Sequence, residues 1–328
     1  MYKIKYKKLR NGDTVSYGVK QVKIKRPCTV TIPAMVKDKF VTEICENAMR
    51  GMDGIGSVIS PDARVDDRDG TSTVILPSGL KTIGEHAFSG SSISRLVLPR
   101  GVEYIKYYAF EDCSKLECVT LNDGLRAIDM YAFRNTPIKK IELPASLYEV
   151  DGTVFEACSA LSEISVAEDS EHYRVAGGCL IDKSDGAVVV AASSFTVPTD
   201  GSVNMIDFSA CDGRAVVSVD LPEQIECVGS YAFCGCTRLE VAVIRGAKAI
   251  EDSAFDGCSA LREVTLPACL EKIEDMAFDD CDALKLIRFG GTRERWRELT
   301  SDVKIIWRSG DDRITVVCSD GEILFPER

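Results

Sequence analysis

The pair Ala-Phe recurs along this chain at a spacing that leaves few folds open. It stands at Ala87-Phe88, Ala109-Phe110, Ala132-Phe133, Ala232-Phe233, Ala254-Phe255 and Ala277-Phe278. Val154-Phe155 and Asp207-Phe208 read as variants in register, and Ala48-Met49 as a degenerate first copy. Successive Phe positions differ by 22, 23, 22, 53, 25, 22 and 23, the 53 being two repeats plus an insertion. Self-similarity at such a period signals a repeat architecture and outranks every local signal.

One unit, "LREVTLPACLEKIEDMAFDDCDA" at 261–283, displays the apolar set: Leu261, Val264, Leu266, Leu270, Ile273, Ala277, Phe278 and Cys281. Leu116, Val119, Leu121, Leu125, Ile128, Ala132 and Phe133 repeat it, and Ile138, Ile141, Leu143, Leu147, Val150 and Phe155 follow. A Pro closes the strand at Pro77, Pro99, Pro144, Pro222 and Pro267. Pro has no N–H and ends a ladder there, so the strands stop at one edge. A single unit cannot bury so much apolar surface; stacked units bury it against one another. The expected architecture is a β-rich leucine-rich-repeat solenoid, a right-handed curved coil of about nine rungs with a parallel concave sheet. The Phe column (Phe88, Phe110, Phe133, Phe155, Phe233, Phe255, Phe278) is its expected core.

The whole chain, 1–328, reads as one solenoid domain. Residues 1–47 form an N-terminal β cap and first rung, 48–166 carry repeats with an insertion at 50–73, and 206–289 carry further repeats. Within 167–205, two apolar runs flank Lys183-Ser184-Asp185-Gly186, a hairpin turn signal. Residues 290–328 read as a cap, with a helix in "GGTRERWRELT", a strand in "VKIIW" at 303–307 and a hairpin in "ITVVCSDGEILF".

Successive copies such as "LPACLEKIEDMAFDDCDAL" and "LPRGVEYIKYYAFEDCSKL" resemble the BspA-like leucine-rich repeat family. "GGTRERWREL" resembles that family's usual ending, and the Gly/Asp hairpin its usual interruption. The resemblance covers roughly residues 28–307. It implies a non-catalytic module that binds a protein partner, since characterised members are surface proteins of bacteria and some protozoa that bind host matrix or other proteins.

Charge and composition narrow the partners. Formal net charge is −11, yet residues 1–26 hold nine Lys/Arg against Asp13 alone, leaving about −19 on the rest. An acidic body argues against nucleic acid as partner. The basic start, "YKIKYKK", alternates and reads as an edge strand guarded by lysines, with a binding patch as the other reading. No apolar run reaches the ~18 residues of a membrane helix, and no secretory signal is visible. With 14 Cys, a reduced, cytoplasmic chain is the expectation, and a surface or secreted one the alternative. A monomer without cofactor is expected.

The cysteines are the first candidate for chemistry. Three residues past each Phe stand Ser91, Cys113, Thr136, Cys158, Cys211, Cys236, Cys258 and Cys281. A periodic column of small side chains is a packing feature; a zinc site needs convergent ligands. Cys234, one past Phe233, falls at a solvent position and is the thiol expected to react ahead of Cys236. Neither His86 nor His172 has a partner suggested by spacing, and His86 reads as exposed convex surface. "DDRDG" at 66–70 fails the calcium-loop frame and reads as an acidic loop with weak calcium binding as an option.

Strand alternation turns the third and fifth positions of "L-x-x-V-x-L" outward. The candidate binding face is therefore Arg95, Val97, Lys140, Glu142, Asp220, Val241, Val243, Glu263, Leu286 and Arg288. Val241, Val243 and Leu286 suggest a small apolar patch there.

Overall fold

The structure is a computed structural model that describes residues 2–11, 14–65, 71–305 and 313–325. The chain forms two compact units, Met1–Tyr173 and Arg174–Arg328, and the boundary falls inside the stretch that interrupts the repeats.

In the first unit the "L-x-x-V-x-L" segments form parallel strands. Their order is Thr29–Thr31, Ser72–Ile75, Ile55–Ile59, Arg95–Val97 and Cys118–Thr120, with Lys140–Leu143 and Glu163–Val166 pairing further along the chain. The segments around the repeat Ile form a second parallel ladder of two-residue strands, in which Ile83, Ile105, Ile128 and Val150 stand in register. The Ala-Phe turns make the third side. Phe88 N–H donates to Ala109 O and Phe110 N–H to Ala132 O, both at 2.8 Å, so the turns are also laddered from rung to rung.

That turn requires a left-handed residue just before Ala. His86, Tyr108 and Tyr131 sit there at φ of 50°, 57° and 60°. Such a conformation is unfavourable for large side chains, and the backbone ladder holds it in place. Inside, the rings of Phe88, Phe110, Phe133 and Phe155 are fully buried and stacked at 5.2, 5.3 and 5.7 Å between neighbours. Parallel offset rings this close add to the area term.

The early insertion enlarges one rung in a specific way. Ile55–Ile59 and Ser72–Ile75 both lie in the long-strand sheet, so one rung contributes two strands to it. On the opposite face Lys39–Ile44 pairs directly with Thr82–Ile83. The basic start forms β1 (Tyr2–Asn11), paired antiparallel with β2 (Thr14–Ile24), which joins the short-strand ladder through Lys39–Ile44.

The second unit repeats the plan. Ser218–Leu221, Val241–Ile244, Glu263–Leu266 and Leu286–Phe289 form the long-strand sheet, extended by the hairpin Ile314–Cys318/Gly321–Phe325. Cys179–Asp182 and Ala187–Ala191 form the inserted hairpin, turning at Gly186 (φ 77°), and its second strand joins the short-strand ladder at Met205–Ile206. The helix α1 (Arg293–Leu299) is N-capped by Thr292 and buries Trp296 against Phe289 and Phe325. These elements cover the last rung.

Two sequence expectations need correction. The described part of "VKIIW", residues 303–305, is not a strand. It accepts Met276 N–H and Phe278 N–H at Lys304 O and Ile305 O, at 2.7 and 2.8 Å, and so completes the last Ala-Phe turn. The second concerns Asp207-Phe208. Cys211 N–H donates to Ala232 O as Phe233 N–H donates to Ala254 O, so Cys211, not Phe208, occupies the Phe column. Phe208 lies outside, 41% exposed, and Arg214, 1% exposed, takes the position that Cys236 and Cys258 hold in later rungs. Phe195, brought in from beyond the hairpin, stacks on Phe233 at 6.5 Å and fills the volume that Cys211 leaves.

Candidate functional site

The outward rows of the long-strand sheets place their side chains by register, not by loop geometry. In the first unit Arg95 stands beside Cys118, and Lys140 beside Glu163, with which it forms an ion pair. Val97 is half-buried, while Cys118, Thr120, Lys140 and Glu142 are exposed. The Arg95 guanidinium donates to Arg64 O at 3.1 Å, so the loop after Ile59 comes back over the face of the sheet.

In the second unit the rows read Ser218, Val241, Glu263, Leu286, Thr315 and Asp220, Val243, Thr265, Arg288, Val317. Val241, Val243 and Leu286 are half-buried. They do not form one continuous patch. Glu263 lies between Val241 and Leu286 and accepts from Arg288 Nε at 2.5 Å. Leu286 instead has Thr315 as its other neighbour and, across the terminal hairpin, Leu324, 53% exposed. Arg245 clamps both Asp220 oxygens at 2.8 Å and holds that carboxyl below its ordinary range, chiefly through the hydrogen bond. The face is thus apolar spots separated by charge pairs, each pair joining adjacent rungs.

Open clefts lie where these strands end. One of about 300 Å³ is lined by Asp62, Val97, Arg100, Leu121, Asn122 and Asp123. A neighbour of about 250 Å³ shares Leu121 and Asp123 and adds Glu142 and Pro144. Asn122 stands where other rungs have Pro, and its amide nitrogen donates to Arg100 O and Val102 O at 3.2 and 2.9 Å. Sequence reading missed these walls. The departure from Pro at Asn122 was visible, but the return path of the loop 60–65 is not periodic and left no mark.

The cysteine column has a definite geometry. Cys113, Cys158, Cys236, Cys258 and Cys281 each donate Sγ–H to the carbonyl of the preceding column residue, Phe88, Phe133, Cys211, Phe233 and Phe255, at 3.0–3.2 Å. Burial pushes the Cys113 thiol up to about 11 and the Cys236 thiol up to about 12. The 14 cysteines are thiols, not disulfides. Cys118 and Cys269 are the exposed ones, and Cys234 is half-buried. No group of three or more His, Cys, Asp and Glu suited to hold a metal occurs among the described residues. Residues 66–70, read as an acidic loop, lie outside them.

His86 is half-buried, not an open convex residue. Its ring stacks on Tyr108 at 4.7 Å, which stacks on Tyr131 at 5.0 Å, and Nδ1 faces Glu111 at 3.7 Å. His172 is exposed and meets the edge of Tyr148 at 6.3 Å. No helix of the described residues is long and apolar enough to cross a membrane.

Comparison with known proteins places the repeat. The model of the BspA type leucine rich repeat region matches residues 68–174 and 192–298, in six copies. The structure of the pneumococcal vaccine antigen PcpA is similar at TM-score 0.69 and 24% identity, covering 88% of this chain and 80% of that one. A leucine rich cell surface protein of Faecalibacterium prausnitzii is similar at TM-score 0.59 and 23% identity, covering 90% and 96%. At this identity the likeness concerns the fold. The comparison with curated proteins gave no match.

Proposed function

The chain belongs to the BspA-type leucine-rich repeat family, and from that premise we propose that it is a non-catalytic recognition module binding a protein partner on the open faces of its long-strand sheets. One observation carries this reading: Val241, Val243 and Leu286 are half-exposed apolar side chains set in register among ion-paired ones, and Val97 is a further half-exposed one in the first unit. Apolar anchors within a charged surround are what a protein interface uses, the anchors for energy and the charges for selection. Solenoids present such rows on a rigid support. Kinship in fold with a vaccine antigen and a cell surface protein supports a surface-displayed, adhesin-like role.

The test is affinity capture from host and bacterial extracts with wild type and with Val241→Asp/Leu286→Asp. Both changes are outward, so circular dichroism should be unchanged. Loss of the captured partner by at least tenfold is expected; equal capture by both proteins would move the site off this face.

A second reading, an intracellular scaffold, is favoured by thiols at the exposed positions Cys118 and Cys269, since oxidising compartments tend to consume such thiols. Fractionation of the producing cells separates the two: protein accessible to protease on intact cells supports surface display.

A further inference from the structure

The two-stranded ribbon of β1 and β2 carries a surface that the repeat itself does not need. It lies at the outer edge of the short-strand sheet, in the order β1, β2, Lys39–Ile44. One face is apolar: Ile4 pairs with Val22 and Tyr6 with Val19, and both valines are buried. The other face is basic. Lys3, Lys5 and Lys7 follow one another at alternate positions of β1, all exposed, and Lys3 stands directly opposite Lys23. Lys20 is the extra residue of the bulge between Lys5 and Tyr6. Like charges directly opposite destabilise a ladder, so Lys3 and Lys23 are costly to this hairpin when it stands alone. The nearest acid in that register is Glu43, beside Gly18, itself opposite Lys7. Lys3, Lys5, Lys7 and Lys23 enter no ion pair among the described residues, whereas Lys81, Lys106, Lys139 and Lys140 each meet a carboxylate of a neighbouring rung.

We infer that the free edge of β1 is a docking site for an extended acidic segment of a partner protein, added as one more strand. Every second residue of an edge strand turns its N–H and C=O outward, which is a template for another strand. Lysines on such an edge exclude apolar strands, because pairing would strip water from unmatched charges. A strand with a carboxylate at every second residue removes that penalty: its acids fall beside Lys3, Lys5 and Lys7 while its backbone completes the ladder. Charge selects the partner and the backbone fixes its register. The body of the molecule is acidic, so the ribbon is the one strongly basic segment of the chain, with nine Lys/Arg in residues 1–26. This site is separate from the long-strand face, and its test stands or falls without the reading above.

The experiment is fluorescence anisotropy of labelled octapeptides titrated with the full chain at two salt concentrations. One peptide alternates Glu with Val; an isomer carries the same four Glu in a block. Two further versions of the alternating peptide are N-methylated at the odd or at the even positions. The expected result is binding of the alternating peptide at least tenfold tighter than the block isomer, lost on one N-methylation pattern and retained on the other. Lys5→Glu/Lys7→Glu should reduce that binding at least tenfold with circular dichroism unchanged. Equal binding of both isomers, or of heparin and DNA, with no effect of N-methylation would make the ribbon a generic anion patch and overturn the proposal. No binding of the alternating peptide would overturn it as well.

Discussion

A cysteine in every rung could be reactive chemistry, but here the side chain is defined by the atom it touches. Each column Sγ–H is spent on a carbonyl that the Ala-Phe turn leaves pointing inward, as Cys258 does with Phe233 O at 3.1 Å. Thr136 instead turns Oγ1 to the carbonyl of its own rung, Phe133 O at 2.8 Å, which also takes Cys158 Sγ–H, and Ser91 lies at 3.5 Å from Cys113 Sγ. A donor that reaches this carbonyl suits the column, mostly the small Cys, and at Arg214 the guanidinium Nε–H does so on Ala191 O at 2.8 Å. Reactivity belongs to the thiols outside it. Brief treatment of the native protein with a maleimide at pH 7.5, followed by peptide mass mapping, should label Cys118 and Cys269 first. Cys234 should follow, and Cys236, whose thiolate burial disfavours, should remain unlabelled. Labelling of Cys236 ahead of Cys118 would mean the column is open to solvent.

At the level of the rung, the stack of Phe rings holds neighbours together, and its energetics separate the true column from its imitation. Phe255 is fully buried between Phe233 and Phe278, at 5.0 and 5.4 Å. Phe255→Ala should lower urea-unfolding stability by about 3–5 kcal/mol. Phe208 meets the edge of Tyr231 at 5.7 Å and is 41% exposed; Phe208→Ala should cost under about 1 kcal/mol. A large loss at Phe208 would restore it to the core. The pair also shows how far periodicity reads. The repeat strands, the Phe stacks, the inserted hairpin and α1 follow from spacing, turn residues and capping, because each is repeated or locally encoded. The rung at Cys211 does so only in part. Asp207-Phe208 shares only its ring with Ala-Phe; the interval of 25 residues to Phe233, against 22 from Cys211, and the match of Ser209-Ala210-Cys211-Asp212-Gly213 to Ser253-Ala254-Phe255-Asp256-Gly257 point to Cys211. The missing ring arrives from Phe195, across a distance in sequence that no periodic pattern encodes. The outward rows were legible by alternation. Their interruption by the Glu263–Arg288 pair was not, because it depends on which strands lie side by side.

Summed over the molecule, the buried thiols couple stability to alkaline pH. Burial is the largest cause in raising Cys113 to about 11 and Cys179 and Cys236 to about 12, and it also raises Cys211. In the unfolded chain a thiol titrates near its ordinary value of about 8.5. The folded state therefore holds protons that the unfolded state releases. The stabilisation is complete below about pH 8.5 and is lost as pH rises from there towards the folded values. While a folded thiol stays protonated and its unfolded counterpart is ionised, it costs up to ~1.4 kcal/mol of stability per pH unit. The half-buried Tyr131, raised first by desolvation and then by Glu156, adds a change of the same sign at still higher pH. Urea unfolding of the reduced protein at pH 6.5, 7.5 and 9.5 should give a nearly flat first interval and then a fall of several kcal/mol. Cys236→Ser separates thiols from tyrosines and lysines: the hydroxyl can keep the bond to Cys211 O but does not titrate in this range. Its stability should fall less steeply above pH 8.5, by about 1 kcal/mol per pH unit relative to wild type. Identical slopes for the two proteins would show that Cys236 ionises as readily folded as unfolded, which a fully buried column does not allow.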